Sequence, residues 1–172
     1  VDRAELPNHL LVPGETLWVC NPNNPTGDAF SRNAMLELLS RSEASGGRLI
    51  VDEAFIDYCP EHSICDQVAD HPALIVLGSL TNILAIPGIR LGYLAAHPDV
   101  IRTLKENMTP WHLNCVADAV ASALAGRESD FEAIRALNRR RRIAFADALC
   151  RLGAKVYPSE ANFLLCDFGR DM

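Results

Sequence analysis

The sequence has no apolar run near the roughly 20 residues that a membrane-spanning helix needs. It has no excess of positive charge either, since its formal net charge is −6 at pH 7. Four consecutive arginines at 139–142 would step through about 300° of a helix, so they form no basic stripe. Repeats and a signal-peptide pattern are also missing. These absences predict a cytoplasmic protein without nucleic-acid or membrane partners.

Paired cysteine motifs and metal-binding histidine motifs are absent as well. The six cysteines include no CxxC pair, and the five histidines include no HExxH spacing. We therefore expect reduced thiols and no metal site. The 172 residues, 49% of them hydrophobic, are enough for one core and part of a second.

Three polar segments each begin where a short apolar run ends. Such runs are typical of strands buried on both faces of a parallel sheet, and open parallel sheets bind ligands at the carboxyl ends of their strands. The sequence therefore predicts an α/β fold with one ligand site built from all three segments. These segments are 21–27 after the apolar run 17–20, 52–58 after 49–51, and 79–90 after 74–77.

Four helices and two more strands are predicted outside these segments. Ser31 is the expected N-cap of the first helix, and the alanine-rich third helix is expected to be buried because it is apolar on most sides. The fourth should turn inward a face formed by Phe131, Ile134, Leu137, Phe145 and Leu149. The helices are expected at 31–45, from Pro98 onward, at 113–125 and at 129–152, and the strands at 155–157 and 162–166.

The three polar segments, in this order, resemble the cofactor site of fold-type I pyridoxal 5′-phosphate (PLP) enzymes, aminotransferase class I/II. The resemblance implies a PLP-dependent transferase-like fold, with a mostly parallel sheet flanked by helices and the start of a smaller α+β C-terminal domain. It implies part of a large PLP-binding domain at 1–112, connecting helices at 113–152 and the small domain from 153 to 172. It also implies that the chain is about half of a family member, which would be a homodimer at full length.

The same resemblance implies a role for each polar residue, and the residue types fit the cofactor. The Asp52 carboxylate would keep the ring nitrogen protonated, and the Asn24 amide can donate to the ring oxygen. The small side chain of Ala54 would let the ring lie flat. Phosphate contacts are expected from Ser79 and Arg90. The remaining cofactor-binding positions of the pattern are Phe55 and Thr81.

Residue 82 departs from the family pattern. The family places there the lysine that forms a Schiff base with the cofactor's aldehyde. An amide nitrogen is delocalised into its carbonyl, so Asn82 neither forms that bond nor moves a proton at the substrate's α-carbon. We therefore expect PLP to be held without a covalent link, although Asn82 and Asp52 occupy the catalytic positions.

The motifs are similar to the branch of the family that contains histidinol-phosphate aminotransferase and L-threonine-O-3-phosphate decarboxylase. Phe55, where aminotransferases usually have tyrosine, and Trp111 with Asn114 three residues later resemble the decarboxylase. The resemblance implies a small phosphorylated substrate contacted by Asn24, Trp111 and Asn114. The implied reaction is decarboxylation of L-threonine O-3-phosphate to (R)-1-aminopropan-2-ol O-phosphate in cobalamin synthesis. The alternatives are histidinol-phosphate transamination and a noncatalytic pseudoenzyme.

Overall fold

A computed structural model describes residues 13–169 of the chain. The first residues of the expected large domain, 1–12, and the last of the expected small domain, 170–172, lie outside the described residues. The α-helices and strands, in chain order, are β1 (Thr16–Cys20), α1 (Arg32–Ala44), β2 (Arg48–Glu53), β3 (Leu74–Ser79), α2 (Leu80–Ile83), β4 (Gly92–Ala96), α3 (Pro98–Asn107), α4 (Cys115–Ala123), α5 (Glu128–Arg151), β5 (Lys155–Val156) and β6 (Cys166–Asp167). Three short 3₁₀ helices, Ile56–Tyr58, Pro60–His62 and Cys65–Gln67, connect β2 to β3.

Strands β1 to β4 form one sheet in chain order. The first three strands are parallel and β4 is antiparallel to β3, which confirms the mostly parallel sheet. The predicted strands at 155–157 and 162–166 become the short antiparallel pair β5 and β6. Only one end of the second predicted strand is extended, because residues 160–163 form a bend instead.

The core lies between the sheet and α1. Ser31 is the N-cap of α1, as predicted, and its hydroxyl accepts from the amide of Ala34. Burying a leucine-sized side chain contributes about 1.5–3 kcal/mol, so this cluster holds α1 against one face of the sheet. The fully or almost fully buried members are Met35, Leu38, Leu39, Leu49, Val51, Ile64, Leu74 and Val76.

Burial of the later helices differs from the prediction. In α4 only Ala117 is buried, because the described residues supply a partner for one side of that helix. In α5 the exposed residues include Leu137 and Phe145, the latter 58% exposed. Within residues 13–169, none of the helices combines the length and hydropathy needed to cross a membrane.

Polar contacts explain the orientation of α5. Arg135 donates to the main-chain oxygen of Asp57, and Asn138 and Arg142 donate to that of Ala161. A buried carbonyl without a hydrogen-bond donor costs free energy, so these charged and amide side chains turn inward to supply one. Leu137, about 200° around the helix from Arg135, is turned away as a consequence. Phe145 lies on the same face as Asn138 and Arg142 and lines an open cavity there.

Candidate functional site

The three predicted polar segments leave the sheet at one edge. Cys20 of β1 is paired with Asp52 of β2, and Asp52 with Leu77 of β3, so the carboxyl ends of these parallel strands are level. At the end of β3, Ser79 is paired with Gly92, the first residue of the antiparallel β4. The start of β4 therefore lies at the same edge, and so does Arg90, two residues before it.

Asp52 and Ser79 also lie on the same face of this edge. Side chains alternate along a strand, and paired residues point to the same side. The side chain of Val51 belongs to the core cluster shared with α1, so Asp52, the next residue along β2, faces the opposite side. Its partner Leu77 shares that side, and Ser79 follows Leu77 by two residues.

The polar side chains at this edge retain unused hydrogen-bonding groups. Asp52 accepts the amide of Ala54 at one carboxylate oxygen, 3.0 Å away, and in residues 13–169 its other oxygen has no partner. Arg90 is exposed, and its one hydrogen bond to another described residue is a long one of 3.4 Å to the carbonyl of Pro87. Ser79 precedes α2 without capping it through its hydroxyl. A carboxylate, a hydroxyl and a guanidinium are thus available to a ligand.

Asn24 is the fourth predicted ligand residue. It is exposed in the loop after β1, and its side-chain amide has no hydrogen-bond partner among the described residues. The hydroxyl of Thr81, in contrast, donates to the carbonyl of Leu91 over 3.2 Å and holds α2 to the start of β4. Asn24 and Thr81 stay predictions as cofactor contacts.

Asn82 joins α2 to the segment that follows Asp52. Its amide nitrogen donates to the carbonyl of Ala54 over 3.1 Å, and its own main-chain oxygen accepts from the hydroxyl of Tyr58 over 3.0 Å. Burial raises the pKa of Tyr58, which keeps this hydroxyl protonated as a donor. Residue 82 is therefore directly beside the Asp52 segment, where a ligand-attaching lysine would have to be.

A segment near the end of the chain closes on the loop after β1. The amide of Glu160 donates to the carbonyl of Gly27 over 2.7 Å. Gly27 has φ +73°, and a Cβ atom there would lie 2.1 Å from the hydroxyl oxygen of Ser159. The ring of Phe55 meets that of Phe163 edge to face at a centroid distance of 5.0 Å. Residues 159–163 therefore pack onto two of the three site segments.

Replacing Gly27 by alanine should destabilise the protein by about 2–4 kcal/mol, because the new methyl group meets Ser159 and the positive φ is unfavourable for alanine. Gly14→Ala is the matched control, since Gly14 has φ +79° and an open space around it. Urea unfolding of both variants measures the difference. Equal losses of stability would show that the contact with Ser159 is unimportant.

A buried carboxylate anchors the segment that follows Asp52. Glu53 is 1% exposed, and it accepts the hydroxyl of Ser63 at 2.7 Å and the amide of Ile64 at 3.2 Å. Burial raises the pKa of Glu53, and the bond from Ser63 offsets this only in part. The position of the loop after β2 therefore depends on a carboxyl group that is costly to ionise.

The buried Glu53 should make stability depend on pH. Because its pKa is raised in the folded state, its stabilising contribution is complete below the ordinary value of 4.5 and is lost as the pH rises through the folded value. Glu53→Gln keeps an acceptor for Ile64 and cannot ionise. Its urea midpoint relative to the starting protein should rise between pH 4.5 and pH 8.

Glu106→Gln, at an exposed position in α3, is the control for the loss of one charge. Its midpoint should follow that of the starting protein over the same pH range. A constant difference between Glu53→Gln and the starting protein at every pH would contradict the role given to Glu53.

The predicted substrate residues lie farther along the chain. Trp111 has φ +57° and is 95% exposed. The side chain of Asn114 is already engaged, because it donates to the carbonyl of Ile89 over 3.1 Å and accepts the amide of Ala117 at 2.8 Å as N-cap of α4. This bond holds Asn114 beside Ile89, the residue that precedes Arg90. Substrate contact by Trp111 and Asn114 stays a prediction.

Sequence reasoning missed several residues that shape this edge. Tyr58, Ser159 and Phe163 act through contacts between segments far apart in the chain, and no local pattern indicates such contacts. The only available signal was Gly27, since glycine is typical where a positive φ or a close approach is needed.

Comparison with known proteins agrees with this geometry. The family profile for aminotransferase class I and II matches residues 9–172. Histidinol-phosphate aminotransferase 1 of Haemophilus influenzae is 34% identical over 170 residues, which cover 96% of this chain and 46% of that protein.

Two solved structures have the same fold. L-threonine-O-3-phosphate decarboxylase from Porphyromonas gingivalis superimposes with a TM-score of 0.81 at 28% identity, over 91% of this chain and 48% of that one. Histidinol-phosphate aminotransferase from Clostridium acetobutylicum gives 0.80 at 28% identity, over 88% and 47%. The chain spans less than half the length of each of these three relatives. It has the fold-type I architecture and belongs to the aminotransferase class I and II family.

Proposed function

We propose that this chain carries the cofactor-binding edge of a PLP-dependent enzyme of the decarboxylase and histidinol-phosphate aminotransferase branch, and that it binds PLP without a covalent link. The observation that supports this most is the set of unused polar groups on Asp52, Ser79 and Arg90 at one sheet edge. Their chemistry fits the cofactor, since a carboxylate suits a protonated ring nitrogen, and a hydroxyl with a guanidinium suits a phosphate.

Each residue has a separate task in this proposal. Asp52 holds a proton on the ring nitrogen, and the Ala54 amide fixes the carboxylate for that task. Ser79 and Arg90 bind the phosphate, and Asn24 donates to the ring oxygen. Bound there, PLP supplies an electron-accepting ring for the breaking of a bond at the α-carbon of an amino compound.

The substrate is proposed to be a small phosphorylated amino acid or amine. Decarboxylation of L-threonine O-3-phosphate is the first candidate. Phe55 supports it, because its ring lacks a hydroxyl and is packed against Phe163. Transamination of histidinol phosphate is the second candidate, supported by the name and 34% identity of the Haemophilus influenzae relative. Assembly as a homodimer and the cobalamin pathway remain parts of the same proposal.

Noncovalent binding of PLP is tested by trapping. Equilibrium dialysis should show that the protein binds PLP more tightly than pyridoxal, which lacks the phosphate. Borohydride reduction and peptide mass spectrometry should then find no pyridoxyl group attached at the site. A stoichiometric adduct on Lys105 or Lys155 that accounts for all the bound PLP would refute the proposed site.

A further inference from the structure

The side-chain amide of Asn82 has a defined orientation. Its contact with the carbonyl oxygen of Ala54 requires the NH₂ group as the donor, since two carbonyl oxygens do not bond to each other. The oxygen of the same amide therefore points away from Ala54. In the described part of the chain this oxygen has no donor, and it is not fully buried, although Asn82 as a whole is half-buried. It is an accessible acceptor at the edge that carries Asp52.

The reach of this oxygen matches that of the lysine it replaces. The asparagine oxygen is as many bonds from Cα as the Cδ atom of a lysine. The lysine nitrogen lies two bonds farther out, a distance of about 2.5 Å. A hydrogen bond from that oxygen to a nitrogen spans about 2.9 Å. An amine held by Asn82 would thus sit where a lysine nitrogen would sit.

We propose that Asn82 makes this site selective for pyridoxamine 5′-phosphate over pyridoxal 5′-phosphate. This inference rests on the proposed function, because it assumes the cofactor edge formed by Asp52, Ser79 and Arg90. The two ligands share the ring and the phosphate and differ only at the group that faces residue 82.

Hydrogen bonding at that group separates the two ligands. The aminomethyl group of pyridoxamine phosphate is a charged donor, and the Asn82 oxygen accepts from it. The aldehyde of pyridoxal phosphate has only an acceptor oxygen, which meets a second acceptor, and no lysine compensates by attachment. A hydrogen bond to a charged group corresponds to an affinity difference of about tenfold to a hundredfold.

The test compares both ligands on the protein that carries this chain, by equilibrium dialysis with absorbance detection. Borohydride reduction and mass spectrometry correct for pyridoxal phosphate attached to Lys105 or Lys155. The readout is the ratio of the two dissociation constants. The starting protein should bind pyridoxamine phosphate at least about tenfold more tightly.

Two variants assign this ratio to the amide oxygen. Asn82→Ala removes the acceptor and should bring the ratio close to one, and any loosening of the Ala54 segment affects both ligands alike. Tyr58→Phe is the matched control. It deletes the bond to the main-chain oxygen of Asn82 and leaves the side-chain amide in place, so the ratio should be unchanged.

The outcomes separate this inference from the proposed function. Equal affinity of the starting protein for both ligands, or an unchanged ratio in Asn82→Ala, would overturn the selectivity and leave the cofactor site standing. Binding of neither ligand would overturn both. A preference that Tyr58→Phe abolishes while Asn82→Ala retains it would assign the selectivity to Tyr58 instead.

Discussion

Asn82→Lys should convert the protein into one that attaches PLP covalently and turns over a phosphorylated substrate. Lysine supplies a nucleophilic amine for attachment and a group that moves a proton at the α-carbon, and proton transfer alone contributes about 10²- to 10⁴-fold to rate. The bond from Tyr58 survives, because it uses the main-chain oxygen of residue 82. Absorbance spectra and trapping with borohydride measure attachment.

Turnover of the lysine variant also decides between the two candidate reactions. Release of carbon dioxide from L-threonine O-3-phosphate would support the decarboxylase. Formation of glutamate from histidinol phosphate and 2-oxoglutarate would support the aminotransferase. Asn82→Ala is the control and should be as inactive as the starting protein. Covalent attachment without turnover of either substrate would make the pseudoenzyme the better account.

Arg90→Ala should weaken binding of PLP by about 10- to 100-fold, which is the range for losing a hydrogen bond to a charged group. Arg90 is exposed and, within residues 13–169, makes one long bond to Pro87, so its removal should leave the fold intact. Fluorescence titration measures the affinity, and thermal unfolding verifies that the variant is folded.

Two controls tie this effect to the phosphate group. Arg102→Ala removes another exposed arginine, which is paired with Asp99 on α3, and should leave PLP affinity unchanged. Pyridoxal without its phosphate should bind equally to the starting protein and to Arg90→Ala. An equal loss for pyridoxal and PLP would show that Arg90 acts on the fold rather than on the phosphate.

The sheet and the polar segments at its carboxyl edge could be predicted because they depend on local patterns. The apolar runs at 17–20, 49–51 and 74–77 became β1, β2 and β3, and each polar segment follows its strand. Parallel pairing then requires the three carboxyl ends to meet. Ser31 and Pro98 began their helices as predicted, because capping is decided within one turn.

Features that depend on distant contacts could not be predicted. β4 begins just after the 79–90 segment, where the sequence predicted no strand, and the reversal of the chain through α2 makes it antiparallel to β3. The inward face of α5 is set by carbonyls of Asp57 and Ala161, which no helical periodicity indicates. The bond between Asn82 and Ala54 joins residues 28 positions apart.

A crystal structure of the protein with PLP is the decisive experiment for the cofactor site. We expect a ligand at the carboxyl edge of the sheet, with its ring nitrogen at Asp52, its phosphate at Ser79 and Arg90, and no bond to residue 82. The clearest contradiction would be PLP in another place, such as the cavity of about 240 Å³ between α5 and residues 162–164. Asp52 and Arg90 on opposite faces of the sheet would contradict the account equally.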